Sequence, residues 1–453
     1  MKVHILGIGG TFMGSLALLA QSLGFEVSGT EDTLFPPMSH LLHNAGINIG
    51  TDWKQLLKEK YDWIIVGNTI SRRGKGKAAI EAILNHRLPY ISGPQWLYEN
   101  ILMRKQVIAV AGTHGKTFTT SLLTWIFKTA GIDVGFLIGG VPKNLNISAY
   151  LGSSPVFVIE ADEYDTAFFD KRSKFLHYRP HSLILNNLEF DHADIFENLY
   201  AIQKQFIYLL RTVPSSGMII YSQADENLKS VLSHAYSVHE STGIGCGDWR
   251  VDNIDQSKNV VTFDVYHQNK FFEKFQWNQY GEHCIHNALN AIALAHHWGI
   301  KKEKMLEALR TFDGVKRRLE IIDKKKNITI YDDFAHHPTA IQKTISALKA
   351  KIGDARLIVI LFCQTNTLKS GYYNSTLVRA LWEAEKAYVV TDSAHVDSLA
   401  KDAHESHVLI CSDYNVVIDA LTPVIKSGDH VLIMSTQSTR PFLKKLTKQV
   451  IKI

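Results

Sequence analysis

The sequence has few cysteines and no long apolar run, and each shortage excludes a class of protein. Its 453 residues include only four cysteines, none of which forms a Cys-x-x-Cys pair. This pattern argues against a zinc site and a disulfide framework, and it fits a reducing cytosol. No apolar segment approaches the roughly 20 residues needed to cross a bilayer. The first residues, MKVHILGIGG, break at glycines too early for a signal peptide. We therefore expect a cytoplasmic protein without membrane insertion.

Charge of one sign is also scarce. The formal net charge is +5, without the clustered basic face that nucleic-acid binding requires, so we expect no nucleic-acid partner. Two short basic runs stand out, Arg72–Lys77 and Asp323–Asn327. We interpret the second as a solvated turn. The first directly follows a predicted strand, so a solvated turn and a functional role both stay open. The sequence does not indicate an oligomeric state.

Strand-like and helix-like segments alternate along the chain, which predicts an α/β fold with parallel sheets. The alternation starts at Val3, restarts at Val107 and starts a third time after Gly314. Arg250–Trp277 is rich in β-branched and aromatic residues, which favours antiparallel hairpins. We predict three domains. They are a Rossmann-like domain at 1–105, a central P-loop ATPase-like α/β domain with an antiparallel β insertion at 106–313, and a Rossmann-like domain at 314–453.

A candidate phosphate-binding loop lies in Val107–Leu123, which has the sequence VIAVAGTHGKTFTTSLL. The usual P-loop, G-x-x-x-x-G-K-[ST], would begin with glycine at Val110, but the glycine is Gly112 and the loop is tighter. A glycine turn between a strand and a helix directs backbone N–H groups and the positive helix end at an anion. We predict that Lys116 meets the β- and γ-phosphates and that Thr117 ligates Mg²⁺. The alternative is a strand-turn-helix connection that contains Gly-Lys-Thr by chance.

Carboxylates and a histidine follow the next strands. PVFVIEADEYD places Glu160 and Asp162 at the carboxyl end of a strand, where open α/β sheets bind ligands, and we expect one of the two to reach the metal. NNLEFDHAD places His192 at the same edge of the sheet. It is a candidate ligand for a second Mg²⁺, although Mg²⁺ prefers oxygen. The alternative is a hydrogen-bonded surface histidine.

The N-terminal GIGGTFMG partly matches the dinucleotide fingerprint G-x-G-x-x-G. Gly7 and Gly9 fit, but the third glycine position holds Phe12. The match is therefore weak support for an NAD oxidoreductase, which stays an alternative. A strand-to-helix glycine turn of this kind is still suited to a pyrophosphate.

Five motifs, GTHGKT, EADE, DH, HNALNA and DDFAHHP, occur in one order along the chain. This order resembles the Mur ligases, the ATP-dependent amide-forming enzymes of peptidoglycan assembly, across all three domains. The resemblance is greatest to the branch that takes UDP-N-acetylmuramate. It implies joining of that acid, through an acyl phosphate, to the murein tripeptide L-Ala-γ-D-Glu-meso-diaminopimelate in peptidoglycan recycling. L-Alanine stays an alternative amine, because HHP after DDFA is shared with the L-alanine-adding enzymes. A P-loop nucleotide switch without ligase chemistry is an alternative from a different class.

The resemblance implies a role for each matching residue, with ATP as co-substrate and Mg²⁺ as cofactor. Catalytic roles fall to Lys116, Glu160, His192 and His336, the last of which positions the amine. Metal ligands are Thr117, Glu160 and His192. The UDP-sugar is bound by Gly7, Gly9, Gly10 and Glu31, with Glu31 near the uridine. ATP is bound by Gly112, Thr113, His114, Gly115, Lys116 and Thr117, by His286 and Asn290 at the adenine, by Arg318 from the third domain, and by Asp333 at the ribose.

Three segments depart from the family pattern. Ile360–Gly371 lacks an arginine that related enzymes carry and has Gln364-Thr365 instead, while Met434–Arg440 replaces a glycine-rich stretch. Arg440 is a candidate replacement for the missing charge. The run at Arg72–Lys77 also differs. The position of the carbamylated lysine found in some Mur ligases falls at about Phe206, so we expect no such group.

Overall fold

Three large β-sheets follow one another along the described residues, and parallel strands form the centre of each. The structure is a computed structural model that describes residues 1–257, 260–403 and 406–449. It confirms the predicted α/β class. Within the described residues, no helix has both the length and the apolar character needed to span a bilayer.

The first sheet has five parallel strands in the order β3-β2-β1-β4-β5. Its apolar residues are buried on both faces, as expected for a parallel sheet covered by helices. Its strands are β1 (Lys2–Leu6), β2 (Glu26–Thr30), β3 (Asn48–Gly50), β4 (Trp63–Val66) and β5 (Tyr90–Ser92). Its helices are α1 (Thr11–Ser22), α2 (Met38–Asn44), α3 (Lys77–His86) and α4 (Gly93–Asn100).

A fully buried histidine joins β1 to β2, and it makes stability depend on pH. His4 Nδ1 lies 2.9 Å from Ser28 Oγ, and Nε2 lies 2.9 Å from Thr30 Oγ1. Burial lowers the pKa of His4 from 6.5 to about 4. Between these two pH values the unfolded chain therefore binds more protons than the folded chain. The stability that neutral His4 contributes to the fold is complete above pH 6.5 and is lost as the pH falls toward 4.

We therefore expect the free energy of unfolding to fall on acidification, with His4 accounting for up to about 3 kcal/mol. Urea unfolding at pH 7 and pH 4.5 measures this loss. His4→Gln should reduce the pH dependence, whereas His40→Gln, at an exposed position on α2, should leave it as in the wild type. Equal pH dependence in His4→Gln and the wild type would contradict this account.

The central sheet has ten strands in the order β17-β16-β15-β14-β13-β12-β6-β9-β7-β8. Strands β15 to β17 pair antiparallel, which agrees with the hairpins predicted for Arg250–Trp277. The strands are β6 (Gln106–Ala111), β7 (Gly135–Leu137), β8 (Ala149–Tyr150), β9 (Val156–Glu160), β10 (Asp165–Ala167), β11 (Asp170–Ser173), β12 (Ser182–Leu185), β13 (Met218–Ser222), β14 (Val238–Ile244), β15 (Trp249–Asp255), β16 (Val261–His267) and β17 (Lys270–Trp277), with β10 and β11 forming a separate hairpin. The helices are α5 (Lys116–Thr129), α6 (Leu199–Leu210), α7 (Glu226–Leu232), α8 (Glu282–His297) and α9 (Lys302–Thr311).

The first and central units, which contain the five-stranded and the ten-stranded sheet, share one apolar core. The third unit contains the six-stranded sheet. This core continues from Leu16 of α1 and Trp96 of α4 to Phe157 of β9 and Phe206 of α6. Phe206, at the position considered for a carbamylated lysine, is fully buried there. A buried hydrogen bond of 2.7 Å between Ser15 Oγ and Ser148 Oγ also crosses this contact. The two units are therefore held together by packing rather than by a linker alone.

The third sheet has six strands in the order β18-β19-β23-β20-β21-β22, and only β18 is antiparallel. The interpretation of Asp323–Asn327 as a turn is wrong for its first three residues, which end β18, and the turn is formed by Lys326 and Asn327 at φ 46° and 62°. An edge strand tolerates such charges because one side of it faces solvent. The strands are β18 (Glu320–Lys325), β19 (Ile328–Asp333), β20 (Leu357–Phe362), β21 (Lys386–Val390), β22 (Val408–Cys411) and β23 (His430–Met434). The helices are α10 (Pro338–Ile352), α11 (Asn366–Lys369), α12 (Asn374–Ala380), α13 (Ser393–Asp402), α14 (Tyr414–Leu421) and α15 (Arg440–Gln449).

Candidate active site

The loop between β6 and α5 has a backbone that requires glycine at two positions. Gly112 has φ 132° and Gly115 has φ 77°, both in the region that L side chains rarely adopt. A Cβ atom on Gly115 would lie 2.7 Å from Asn287 Oδ1, and one on Gly112 would lie 2.9 Å from the Asn187 carbonyl oxygen. The loop therefore packs closely against its neighbours and opens α5 at Lys116.

The segment after β12 holds this loop from one side. The His114 backbone N–H donates to Asn187 Oδ1 at 2.7 Å, and the Thr113 hydroxyl accepts from the Glu189 N–H at 2.8 Å. Since β12 and β6 are neighbours in the sheet, their carboxyl ends lie together. The segment after β12 therefore supports the loop through both side-chain and backbone hydrogen bonds.

Lys116 belongs to a buried chain of charged groups. Its Nζ donates to Glu163 Oε2 at 2.8 Å, and His192 Nε2 donates to the other Glu163 oxygen at 3.1 Å. Burial opposes the charge on Lys116, but Glu163 and Asp162 outweigh it and raise the lysine pKa. Burial also opposes protonation of His192, yet its hydrogen bond to Glu163 raises that pKa to about 9. Glu163 thus holds two cations next to the loop.

The Thr117 hydroxyl and the Glu160 carboxylate form a second group at the start of α5. Thr117 Oγ1 donates to Glu160 Oε1 at 2.9 Å, and the Gly139 N–H donates to Oε2 at 2.6 Å. Burial raises the pKa of Glu160, and Lys116 opposes this shift. Hard oxygen atoms of this kind fit Mg²⁺. Arg318 reaches this group from the third unit, with Nη2 3.4 Å from Thr117 Oγ1.

Two cavities meet at the loop, and His114, Gly115 and Arg318 line both. The α8 cavity, of about 850 Å³, also contacts the start of α8. The three-unit cavity, of about 700 Å³, includes residues of all three units and contains Lys116, Thr117, Glu160, Asp162 and His192. Glu160 and Asp162 both line this cavity. Strand alternation does not place them on opposite faces, because β9 ends at Glu160. The arrangement places the loop between β6 and α5 at the junction of two neighbouring cavities.

The residues predicted to contact a nucleotide base and ribose lie at different depths. His286 and Asp333 line the α8 cavity. Asn290 is fully buried behind it, where its Nδ2 donates to Asn186 Oδ1 at 3.0 Å. Asn287, which the sequence analysis did not select, lines the cavity instead. A direct contact by Asn290 therefore stays a prediction.

The first unit contributes Gly7 and Gly10 to the three-unit cavity. Glu31 is buried, and its Oε2 accepts from the Gly9 N–H at 3.1 Å, while its other oxygen pairs with Lys75. The basic run at Arg72–Lys77 thus supplies a lysine that neutralises Glu31 beside the glycine turn. Any contact of Glu31 with a uridine would have to be made from this paired position.

The third unit contributes His336 and the segment that departs from the family pattern. His336 lines the three-unit cavity, its Nδ1 donates to the Phe334 carbonyl at 2.9 Å, and burial lowers its pKa. Gln364 and Thr436 line the same cavity. The suggestion that Arg440 replaces the missing arginine is wrong, because Arg440 begins α15 and lines a separate groove beside β18.

Sequence reasoning missed three charged residues at the site. Glu163 was not selected although it stands in the EADE motif one residue after Asp162. Lys174 donates to Asp162 Oδ2 at 2.8 Å, and Glu189 lies within 3.5 Å of His114 Nε2. The EADE motif itself signalled Glu163, and Glu189 stands in the NNLEFDHAD segment that placed His192, whereas no short motif points to Lys174.

Comparison with known proteins places this site in a family. Three family models match: Mur ligase family, catalytic domain, at 2–105; Mur ligase middle domain at 110–295; and Mur ligase, glutamate ligase domain, at 317–436. The chain is 45% identical over 442 residues to the UDP-N-acetylmuramate–L-alanyl-γ-D-glutamyl-meso-2,6-diaminoheptandioate ligase of Escherichia coli K12, with 96% of this chain and 95% of that protein covered. It is 30% identical over 477 residues to a UDP-N-acetylmuramate–L-alanine ligase of Buchnera aphidicola, covering 100% and 96%. A solved murein peptide ligase from Psychrobacter arcticus superposes with a TM-score of 0.78 at 38% identity, covering 100% of this chain and 99% of that one.

These matches show that the chain is an ATP-dependent ligase that forms amide bonds. The chain belongs to the Mur ligase family.

Proposed function

We propose that this enzyme joins UDP-N-acetylmuramate to the murein tripeptide L-Ala-γ-D-Glu-meso-diaminopimelate, with ATP as the energy source, in cytoplasmic recycling of peptidoglycan. The observation that carries the proposal is the phosphate loop between two cavities, one for a nucleotide and one formed by all three units. The identity of 45% to a tripeptide ligase, against 30% to an L-alanine ligase, supports the tripeptide as the amine. We also propose the domain boundaries near 105 and 313.

An amide does not form spontaneously from a carboxylate and an amine in water, so the carboxylate must first be activated. The muramate carboxylate oxygen attacks the γ-phosphorus of ATP, ADP leaves, and an acyl phosphate forms. The peptide amine then attacks the carbonyl carbon, and inorganic phosphate leaves with the former carboxylate oxygen. Lys116 stabilises the negative charge of the transferring group, and the loop N–H groups orient it.

Thr117 and Glu160 would hold one Mg²⁺, and His192 a second. Mg²⁺ supplies charge neutralisation on the phosphate oxygens. The oxygens of Thr117 and Glu160 already face the cavity, which suits this cation. His192 would first have to lose the proton that it donates to Glu163, since a metal ligand must be deprotonated.

His336 is suited to handle the amine. Because its Nδ1 donates to the Phe334 carbonyl, its Nε2 is an acceptor in the neutral ring. Burial lowers the pKa of His336 and so favours this neutral form at pH 7. We propose that Nε2 positions the attacking amine and receives its proton.

A substrate panel tests the proposal. ADP release is measured with UDP-N-acetylmuramate and ATP plus the tripeptide, L-alanine, or no amine. We expect kcat/KM for the tripeptide to exceed that for L-alanine by at least about 10²-fold, since the remote peptide contacts contribute binding energy to the transition state. Equal or greater turnover with L-alanine would assign the enzyme to the alternative reaction. Amine-independent ADP release would favour the nucleotide switch.

A further inference from the structure

A group of three potential metal ligands lies where the central unit meets the third. It consists of His114 on the phosphate loop, Glu189 after β12, and His337 immediately before α10. One ligand atom from each of them can be chosen so that all three lie within 4.8 Å of one another. None of these residues belongs to the Thr117, Glu160 and His192 set to which Mg²⁺ is assigned.

The distances in this group suit a metal ion better than hydrogen bonds. Glu189 Oε2 lies 3.5 Å from His114 Nε2 and 3.6 Å from His337 Nδ1. Both distances are too long for good hydrogen bonds. A tetrahedral Zn²⁺ with bonds of about 2.1 Å keeps its ligand atoms about 3.4 Å apart. The two observed separations therefore need only small adjustments to become edges of a coordination tetrahedron.

The imidazoles lack strong competing partners among the described residues. His114 Nε2, the nitrogen that lies 3.5 Å from Glu189, is buried without a hydrogen-bond partner. His337 Nδ1 accepts from the Thr339 N–H at 3.3 Å, a long contact that a metal bond would replace. Glu189 Oε2 also accepts from the Thr339 hydroxyl at 2.6 Å, which orients the carboxylate as an outer-shell partner does in metal sites.

We propose that His114, Glu189 and His337 form a site for Zn²⁺ or a similar late first-row divalent cation, with water completing the coordination. Two imidazoles and one carboxylate are a ligand set that Zn²⁺ takes in proteins. The ion would tie the phosphate loop to the first turn of α10. It would thereby hold the central and third units together and inhibit turnover. The inhibition rests on the proposed ligase cycle, but binding of the ion is independent of that cycle.

The test uses Co²⁺ as a spectroscopic probe with the full chain, in excess Mg²⁺ so that the oxygen-rich positions are occupied. We expect the visible absorption of low-coordinate Co²⁺ to develop with one equivalent in the wild type and to be lost on addition of Zn²⁺. His337→Asn and Glu189→Gln should each weaken Co²⁺ binding by at least about tenfold, which is the least that loss of a direct ligand should cause.

His192→Asn is the matched control, because it removes a histidine from the other ligand group, Asp162, Glu163 and His192. It should retain the Co²⁺ absorption. Zn²⁺ should also raise the Tm of the wild type and of His192→Asn, but not that of His337→Asn or Glu189→Gln. The proposal is overturned if the wild type gives no such absorption, if His337→Asn and Glu189→Gln both bind Co²⁺ as the wild type does, or if His192→Asn alone loses it. Ligase activity enters none of these readouts, so failure of the proposed function would be seen separately.

Discussion

Lys116→Met should reduce ATP-dependent amide formation by at least about 10³-fold, because it removes the cation that faces the transferring phosphoryl group. Lys174 lines the same cavity, but it donates to Asp162 and is therefore not expected to replace Lys116. The variant also leaves Glu163, whose side chain is 2% exposed, with His192 as its remaining charged partner. We therefore also expect a lower Tm. Single-turnover ADP formation measures the chemical effect, and thermal unfolding measures the structural one.

Lys128→Met is the matched control on the same helix. Lys128 lies near the other end of α5 and pairs with Asp133 at 2.6 Å, outside both cavities. This variant should lose an ion pair yet keep wild-type turnover. If Lys116→Met kept more than about a tenth of wild-type kcat, the assigned role of the phosphate loop would be wrong.

Arg318→Ala should lower kcat by about 10²- to 10³-fold, because it removes the cation that reaches the phosphate loop from the third unit. Its Nη2 lies 3.4 Å from Thr117 Oγ1, and its side chain lines both cavities. The neighbouring Arg317 also lines the three-unit cavity, but its side chain pairs with Asp332 and donates to the Ser435 carbonyl at 2.6 Å. The KM for ATP should rise as well, since Arg318 also lines the α8 cavity, where we place the nucleotide.

Arg310→Ala, at an exposed position on α9, is the control for loss of an arginine. It should leave kcat and the KM for ATP unchanged. An Arg318→Ala enzyme with wild-type kcat at saturating ATP would show that the third unit does not deliver this charge to the reaction.

The sequence predicted which segments form helices and strands more accurately than it predicted how deeply individual residues are buried. The antiparallel hairpins predicted for Arg250–Trp277, for example, are formed by β15 to β17. The i, i+4 spacing of His286 and Asn290 does place them on one helix face, but Asn290 lies one turn further along and Asn186 covers it. Spacing gives the direction of a side chain, whereas its distance from the cavity depends on what packs above it.

Charge partners were the least predictable part of the site. Glu163 follows the end of β9 at Glu160, so strand alternation no longer indicates where its side chain lies. Glu189 and His337 are 148 residues apart and meet only because the third unit packs against the central one. Strand β18 was missed as well, because its charged residues are typical of a turn. Only its pairing with β19, which the sequence does not show, identifies it as a strand.

The most direct test of the central claim follows the oxygen of the muramate carboxylate. UDP-N-acetylmuramate labelled with ¹⁸O in that carboxylate is turned over with ATP and the tripeptide, and the inorganic phosphate is analysed by mass spectrometry. Activation as an acyl phosphate predicts one labelled oxygen in each phosphate released, in step with amide formation. Phosphate without label, or phosphate released equally without the amine, would contradict the account.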